Sequence, residues 1–213
     1  MKRFFITSTG TGIGKTYVTC ALIRQARARG LKVAATKPVI SGFDKDNFFG
    51  SDTGEILEAL GEGAVDDVSP WRFKAPLAPN MAARAEGGAL DCAALFAWSG
   101  AFLAQPADLA LIEGVGGVMV PLDVEKTVLD WIVACGAPAI LVVGDYLGTL
   151  SHTLTAVEVL KMREVALAAV VVNEGEGREV PFAETLADLA ARLTVPVLPL
   201  RRGATGESLT ALL

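Results

Sequence analysis

Short apolar runs alternate along this chain with stretches in which apolar residues recur every three or four positions. The first pattern marks buried strands and the second marks helices that cover them. Residues 3–8 read as a strand, followed by a glycine-rich turn and a helix from Lys15 to residue 29, which Gly30 stops. Residues 32–36, 109–112, 139–143, 167–172 and 195–198 read as further strands. Helices are expected at 52–60, at 91–103 (with Leu95, Trp98 and Phe102 on one face), at 127–135 and at 151–162. A last helix carries Leu186, Leu189, Ala190 and Leu193 at i, i+3, i+4, i+7. Strand–helix alternation with right-handed crossovers predicts an α/β fold: a doubly wound, mostly parallel sheet flanked by helices. Ligands on such sheets bind beyond the carboxyl ends of the strands, where the polar motifs of this chain fall. Residues 37–50 and 68–80 fit neither pattern and are expected to be long loops.

Composition narrows the picture. The chain has 213 residues and no repeat or linker, which predicts one domain spanning 1–213. Hydrophobic residues make up 52% and charged residues 20%, so disorder is excluded as the main state. Lys+Arg number 19 and Asp+Glu 24, a net charge of −5 that lacks the basic footprint of a nucleic-acid binder and disfavours anionic lipid. Mean hydropathy is high at +0.45. Yet the longest apolar run, residues 165–172, is far short of the about 20 residues a spanning helix needs. Met1-Lys2-Arg3 leads into no apolar signal region, so a cytoplasmic protein without membrane contact is expected. Cys20, Cys92 and Cys135 are flanked by apolar residues and read as core thiols. The single histidine, His152, has no cysteine or histidine cluster near it and is not expected to bind zinc.

The sharpest chemical signal is Ser8-Thr9-Gly10-Thr11-Gly12-Ile13-Gly14-Lys15-Thr16, between the first strand and the first helix. Glycines let backbone N–H groups close around phosphate oxygens, and the helix N-terminus adds its dipole. Lys15 supplies charge to the β- and γ-phosphates, and the Thr16 hydroxyl is placed for Mg²⁺. The strict G-x-x-x-x-G-K-[ST] pattern requires glycine where Thr9 stands, so this is a variant phosphate loop. A second signal is the apolar strand ending in Glu113, followed by Gly114-Val115-Gly116-Gly117; a carboxylate there can hold Mg²⁺. Asp52 follows Ser51 at a helix start, where capping alone would also explain it. Lys37, in Lys37-Pro38-Val39-Ile40-Ser41-Gly42, ends a strand near the phosphate loop and can offset charge on a transferring phosphoryl group.

Taken together, these motifs resemble the dethiobiotin synthetase family. That family carries Gly-Thr-x-Thr-x-Val-Gly-Lys-Thr, then Lys-Pro-Val-x-Ser-Gly, Ser-Asp and Glu-Gly-Ala-Gly-Gly, and this chain has residues 8–16, 37–42, 51–52 and 113–117 in that order. It is also similar at Pro70-Trp71-Arg72-Phe73, Pro121-Leu122, Asp130-Trp131 and Val142-Val143-Gly144, and the likeness runs from residue 3 to residue 174. The resemblance implies ATP-dependent carboxylation and ring closure of 7,8-diaminononanoate with CO₂, through a carbamate and a carbamic–phosphoric anhydride. It implies catalytic roles for Lys37, Lys15 and Thr11 and a substrate contact at Ser41. Nucleotide contacts are implied at Gly12, Ile13, Gly14, Lys15, Thr16, Tyr17, Asp52, Glu113, Gly114, Val115 and Gly116, and at Asn173 beside the adenine. Thr16, Asp52 and Glu113 are the implied Mg²⁺ ligands. A homodimer is implied, with Leu147, Gly148, Leu150 and Ser151 of the partner chain on the substrate carboxylate.

The chain departs from the family pattern at several points. Ser8 replaces the first glycine, Gly10 and Gly12 stand where acids are common, and Ser151 stands where asparagine is common. The stretch holding Arg202 and Gly203, expected near the base, lacks the family's Gly-x-Ile-Pro. The competing readings are a partitioning-type ATPase switch and another P-loop amide- or urea-forming ligase. The switch proteins carry a lysine early in the loop, and residues 8–14 contain none.

Overall fold

A computed structural model of the chain describes residues 1–176 and 180–213. In chain order the strands are β1 (Lys2–Ser8), β2 (Val33–Thr36), β3 (Val39–Ser41), β4 (Trp71–Phe73), β5 (Leu109–Glu113), β6 (Ala139–Val143), β7 (Leu167–Asn173) and β8 (Val197–Leu200). The helices are α1 (Lys15–Ala28), α2 (Asp52–Leu60), α3 (Val65–Val68), α4 (Pro79–Ala85), α5 (Cys92–Leu103), α6 (Val128–Cys135), α7 (Thr149–Met162) and α8 (Phe182–Arg192), with a closing 3₁₀ turn at Glu207–Leu212. Six strands form one sheet of order β2-β5-β1-β6-β7-β8, and every neighbouring pair is parallel. No helix among the described residues is long and apolar enough to cross a membrane.

The strands are apolar throughout because both faces of the sheet are covered. Alternate residues divide between two cores. Phe4, Ile6, Leu109, Leu111, Ile140, Val142 and Val171 meet α1, α2 and the 3₁₀ turn. Phe5, Ala110, Ile112, Leu141, Val143 and Val172 meet α5, α6, α7 and α8 on the other side. There the fully buried Trp131 sets its ring edge against Phe5, with centroids 4.9 Å apart, and donates its indole N–H to Ser99 Oγ at 2.8 Å. Burial pushes all three thiols up to about 12, as expected of inert core cysteines.

Three expectations need correction. Residues 37–50 and 68–80 are not simply loops: β3 and β4 pair in parallel as a second, two-stranded sheet, in register from Val39↔Trp71 to Ser41↔Phe73. Helix α7 begins at Thr149 rather than at residue 151, because Gly148 caps it at φ 96° and no serine or threonine side chain is needed. The last strand is Val197–Leu200, displaced from 195–198.

Both edges of the large sheet are occupied. On one side Thr36 Oγ1 and Lys37 N–H both donate to Val68 O, which ties α3 over the end of β2. On the other, β8 is paired through the carbonyls of Pro196 and Leu200, which accept from Val170 and Glu174. Pro199 therefore faces outward, and its carbonyl accepts from Ser208 Oγ of the 3₁₀ turn.

Candidate active site

The carboxyl ends of β2, β5 and β1 lie side by side in one half of the sheet, and each delivers one part of the site. From β1 the chain turns through residues 9–14 into α1. Gly14 holds φ 97°, and a Cβ there would sit 2.2 Å from Asn173 Nδ2, so only glycine fits the turn that starts the helix. From β5 comes Glu113, and from the end of β2 comes Lys37. The glycine turns after β1 and β5 press together: a Cβ at Gly117 would lie 3.2 Å from the backbone of Thr9 and Gly10.

These elements enclose a cavity of about 510 Å³. Thr11, Gly12, Gly14, Lys15, Thr16 and Tyr17 line it from the phosphate loop, Lys37 and Ser41 from the β2–β3 segment, and Asp52, Val115 and Gly116 complete its polar wall. Ile40, Pro76, Leu77, Pro79 and Val120 form an apolar side. Ser41 Oγ is buried and has no hydrogen-bond partner, so a polar group is called for at that point of the wall.

One charged network organises the floor. Lys37 Nζ lies 2.6 Å from Asp52 Oδ2 and 2.7 Å from Glu113 Oε1. Thr16 Oγ1 donates to the same Glu113 oxygen at 2.7 Å, and Thr19 Oγ1 donates to Glu113 Oε2 at 2.6 Å. Burial works against the Lys37 charge, but the Glu113 and Asp52 carboxylates outweigh it and raise its pKa. Burial likewise works to raise Asp52, and Lys37 overcomes this and holds the carboxyl below the usual range. Lys15 is different. Burial, reinforced by the Lys37 charge, lowers it from 10.5 to about 8 against the pull of Glu113 and Asp52. Its ammonium rests on neutral acceptors, Ser8 Oγ at 3.1 Å and Gly10 O at 3.4 Å. Ser8, glycine in the family pattern, thus supplies an acceptor inside the loop.

Glu113 itself lies fully buried behind the lining, and most of the other expected residues fall outside this cavity. Ile13 and Asn173 meet behind the loop, where Asn173 Nδ2 donates to Ile13 O at 3.0 Å and leaves Oδ1 buried without a partner. Tyr17 OH reaches Ala204 O at 2.8 Å, so the segment holding Arg202 and Gly203 borders the same end of α1. Arg202 pairs there with Glu176 at 2.8 Å. Gly114 faces inward: its N–H donates to Ile6 O, and Phe5 blocks any side chain. Leu147, Gly148, Leu150 and Ser151 lie at the start of α7 and do not line the cavity of their own chain; Leu147 is 90% exposed. His152 meets Tyr146 OH at 2.9 Å, and Tyr146 lies 3.3 Å from Thr9 Oγ1. Sequence reasoning missed Thr19 and also Glu55, which lines the cavity rim. The i, i+3 spacing of Thr16 and Thr19 on a helix facing Glu113 is the signal that could have found the former.

Curated relatives match most of the chain. An ATP-dependent dethiobiotin synthetase of Phenylobacterium zucineum is 50% identical over 192 residues, 87% of this chain and 82% of that protein. The enzyme of the same name from Methylobacterium nodulans is 47% identical over 213 residues, 95% and 94% of the two chains. The chain belongs to the dethiobiotin synthetase family. A family model described as an AAA domain also matches residues 2–201. Solved structures agree on the fold alone. Cell division protein FtsY from Thermotoga maritima superposes with a TM-score of 0.59 at 14% identity, over 97% of this chain and 63% of that one. A putative plasmid partition protein from Borrelia burgdorferi gives 0.56 at 14% identity, over 99% and 88%. The dethiobiotin synthetase motifs and the P-loop fold thus stand together, and the ATPase-switch reading keeps only a likeness of fold.

Proposed function

We propose that this chain joins CO₂ to 7,8-diaminononanoate and closes the cyclic urea of dethiobiotin, converting ATP to ADP and phosphate, as an enzyme of biotin biosynthesis. It is an ATP-dependent ligase that forms C–N bonds. The observation that carries this reading is the placement of a phosphate cradle and a second buried lysine, Lys37, on one cavity with an apolar side. A hydrolytic switch needs the cradle; a carboxylating ligase also needs a cation for a second anion.

The chemistry follows in three steps. One substrate amine takes up CO₂ and loses a proton, giving a carbamate. A carbamate oxygen attacks the γ-phosphorus, ADP leaves, and the mixed anhydride forms. The second amine then attacks the carbamoyl carbon, phosphate departs, and the ring closes. Lys15 and Lys37 offset the repulsion between carbamate and γ-phosphate, whose approach would otherwise be opposed by Coulomb repulsion in a poorly solvated cavity. Thr11 and the unpartnered Ser41 hydroxyl hold the carbamate or its amine. Ile40, Leu77 and Val120 accept the alkyl chain and keep water from the anhydride.

Asp52 Oδ2 and Glu113 Oε1 flank Lys37 Nζ, and Thr16 Oγ1 bonds to the same Glu113 oxygen, a set of hard oxygen donors that suits Mg²⁺. These residues would hold the ion, which when bound supplies charge to the β- and γ-phosphate oxygens. Asn173 and the segment at Arg202 and Gly203 face the base. The start of α7 offers free amides and an exposed Leu147 away from its own cavity, which suits a homodimer in which residues 147–151 of the partner grip the substrate carboxylate. The setting is the cytoplasm.

The test is phosphate release from Mg-ATP and bicarbonate with and without 7,8-diaminononanoate. Release that depends on the diamine supports the ligase; release indifferent to it refutes the reading. Full activity of a monomer at high dilution would refute the shared site.

A further inference from the structure

Glu113 has no exposed surface and accepts three hydrogen bonds that divide unequally between its oxygens. Oε1 accepts from Thr16 Oγ1 and from Lys37 Nζ, both at 2.7 Å, and both donors line the cavity. Oε2 accepts from Thr19 Oγ1 at 2.6 Å. Neither Glu113 nor Thr19 has exposed surface, but Glu113 Oε1 sits directly against the lining residues Thr16 and Lys37, whereas the Thr19 hydroxyl meets Glu113 Oε2 and the Lys15 carbonyl. That hydroxyl has one proton and two acceptors in range. A threonine inside a helix ordinarily bonds back to the carbonyl four residues earlier, here Lys15 O at 3.0 Å. The carboxylate is closer and charged, and it takes the proton. Glu113 ends a strand on a side chain with several rotatable bonds. Anchoring Oε2 from behind stops the carboxylate from rotating, and Oε1 is then the oxygen turned toward Thr16, Lys37 and Asp52.

We propose that Thr19 is a positioning residue: by holding Glu113 Oε2 it presents Oε1 to the divalent cation that accompanies the nucleotide. This rests on the reading that Thr16, Asp52 and Glu113 hold that cation. Removing a hydrogen-bond partner behind a metal ligand lowers metal affinity by roughly 10- to 100-fold. Nucleotide binding that does not involve the cation is carried by the phosphate loop and is untouched.

The experiment measures the dissociation constant of ADP with Mg²⁺ and with EDTA, for the wild-type protein and for Thr19→Val and Thr19→Ser. Valine keeps the shape of threonine without the hydroxyl; serine keeps the hydroxyl. In the wild type Mg²⁺ tightens ADP binding. In Thr19→Val that tightening falls by about tenfold or more, while the value in EDTA stays within about twofold and reports an intact loop. Thr19→Ser restores the Mg²⁺ effect. Thr19→Ala repeats the test if valine perturbs the helix. Equal weakening with Mg²⁺ and with EDTA assigns Thr19 a merely structural role and overturns the proposal, as does an unchanged Mg²⁺ effect. A wild-type protein that binds ADP equally with and without Mg²⁺ refutes the cation reading itself, and the proposal with it.

Discussion

Replacing Lys15 by methionine should stabilise the nucleotide-free protein. Lys15 is 6% exposed, its ammonium is bonded to a serine hydroxyl and a carbonyl among the described residues, and its pKa falls from 10.5 to about 8. The unfolded chain binds this proton more tightly than the folded one, so the charged lysine works against folding in full below pH 8. That opposition fades as pH rises from 8 to 10.5. At about 1.4 kcal/mol per pKa unit the deficit is about 3 kcal/mol. Losing the Ser8 contact returns about 1 kcal/mol of this. Methionine is linear and of similar length, so cavity and strain effects are small. Lys15→Met should therefore unfold at higher urea than wild type at pH 7, by about 2 kcal/mol, and bind no nucleotide. The gap should close before pH 10.5 and reverse above it, by about the 1 kcal/mol of the lost Ser8 contact. A variant less stable at pH 7, or a gap indifferent to pH, would refute the reasoning. On the proposed function, a bound triphosphate would supply Lys15 with the directly bonded anion it lacks in the folded chain.

Other outcomes follow from single contacts. Lys37→Ala should still bind nucleotide by calorimetry yet lose turnover by orders of magnitude; near-normal turnover would contradict its place opposite the γ-phosphate. Gly14→Ala combines left-handed strain of about 1–2 kcal/mol with a clash against Asn173, and should weaken ATP binding and lower the melting temperature. Adding Asn173→Ala removes the clash but not the strain, so recovery should be partial. Ser99→Ala leaves the Trp131 indole N–H buried without a partner and should cost about 1–3 kcal/mol in chemical denaturation, with kcat unchanged. Despite burial, Lys37 holds the Asp52 carboxyl below 3.8 in the folded state, so its contribution to stability is present above that value and is lost as pH falls through the folded pKa. Asp52→Asn should lose less stability than wild type between pH 5 and pH 2; parallel acid limbs would contradict the pairing.

The main sheet could be read in the residue pattern because its strands are buried on both faces and so form apolar runs, as at Ala139–Val143 and in Leu109–Glu113 up to its terminal glutamate. The phosphate loop, Lys37 and Glu113 were readable because backbone chemistry at a strand end demands those residue types. β3 and β4 were not: three residues each, beside prolines, they form by pairing with one another between positions 32 apart in the chain, as Val39 with Trp71. The start of α7 was misplaced because Ser151 looks like a cap and Gly148, which does the capping, looks like a turn. Thr19 was missed for a related reason. A threonine within a helix reads as neutral until the strand that brings Glu113 opposite it is in place.

The outward-facing proline of β8 has a consequence for assembly. A bare strand edge offers donors and acceptors on which another copy could grow a continuous sheet. Here Pro199 has no proton to give, and Ser208 already occupies its carbonyl. Strand addition is thereby opposed on that side, and on the other Val68 O of α3 already takes the hydroxyl of Thr36 and the N–H of Lys37 at the end of β2. Any association of two copies would therefore not extend the large sheet at β8.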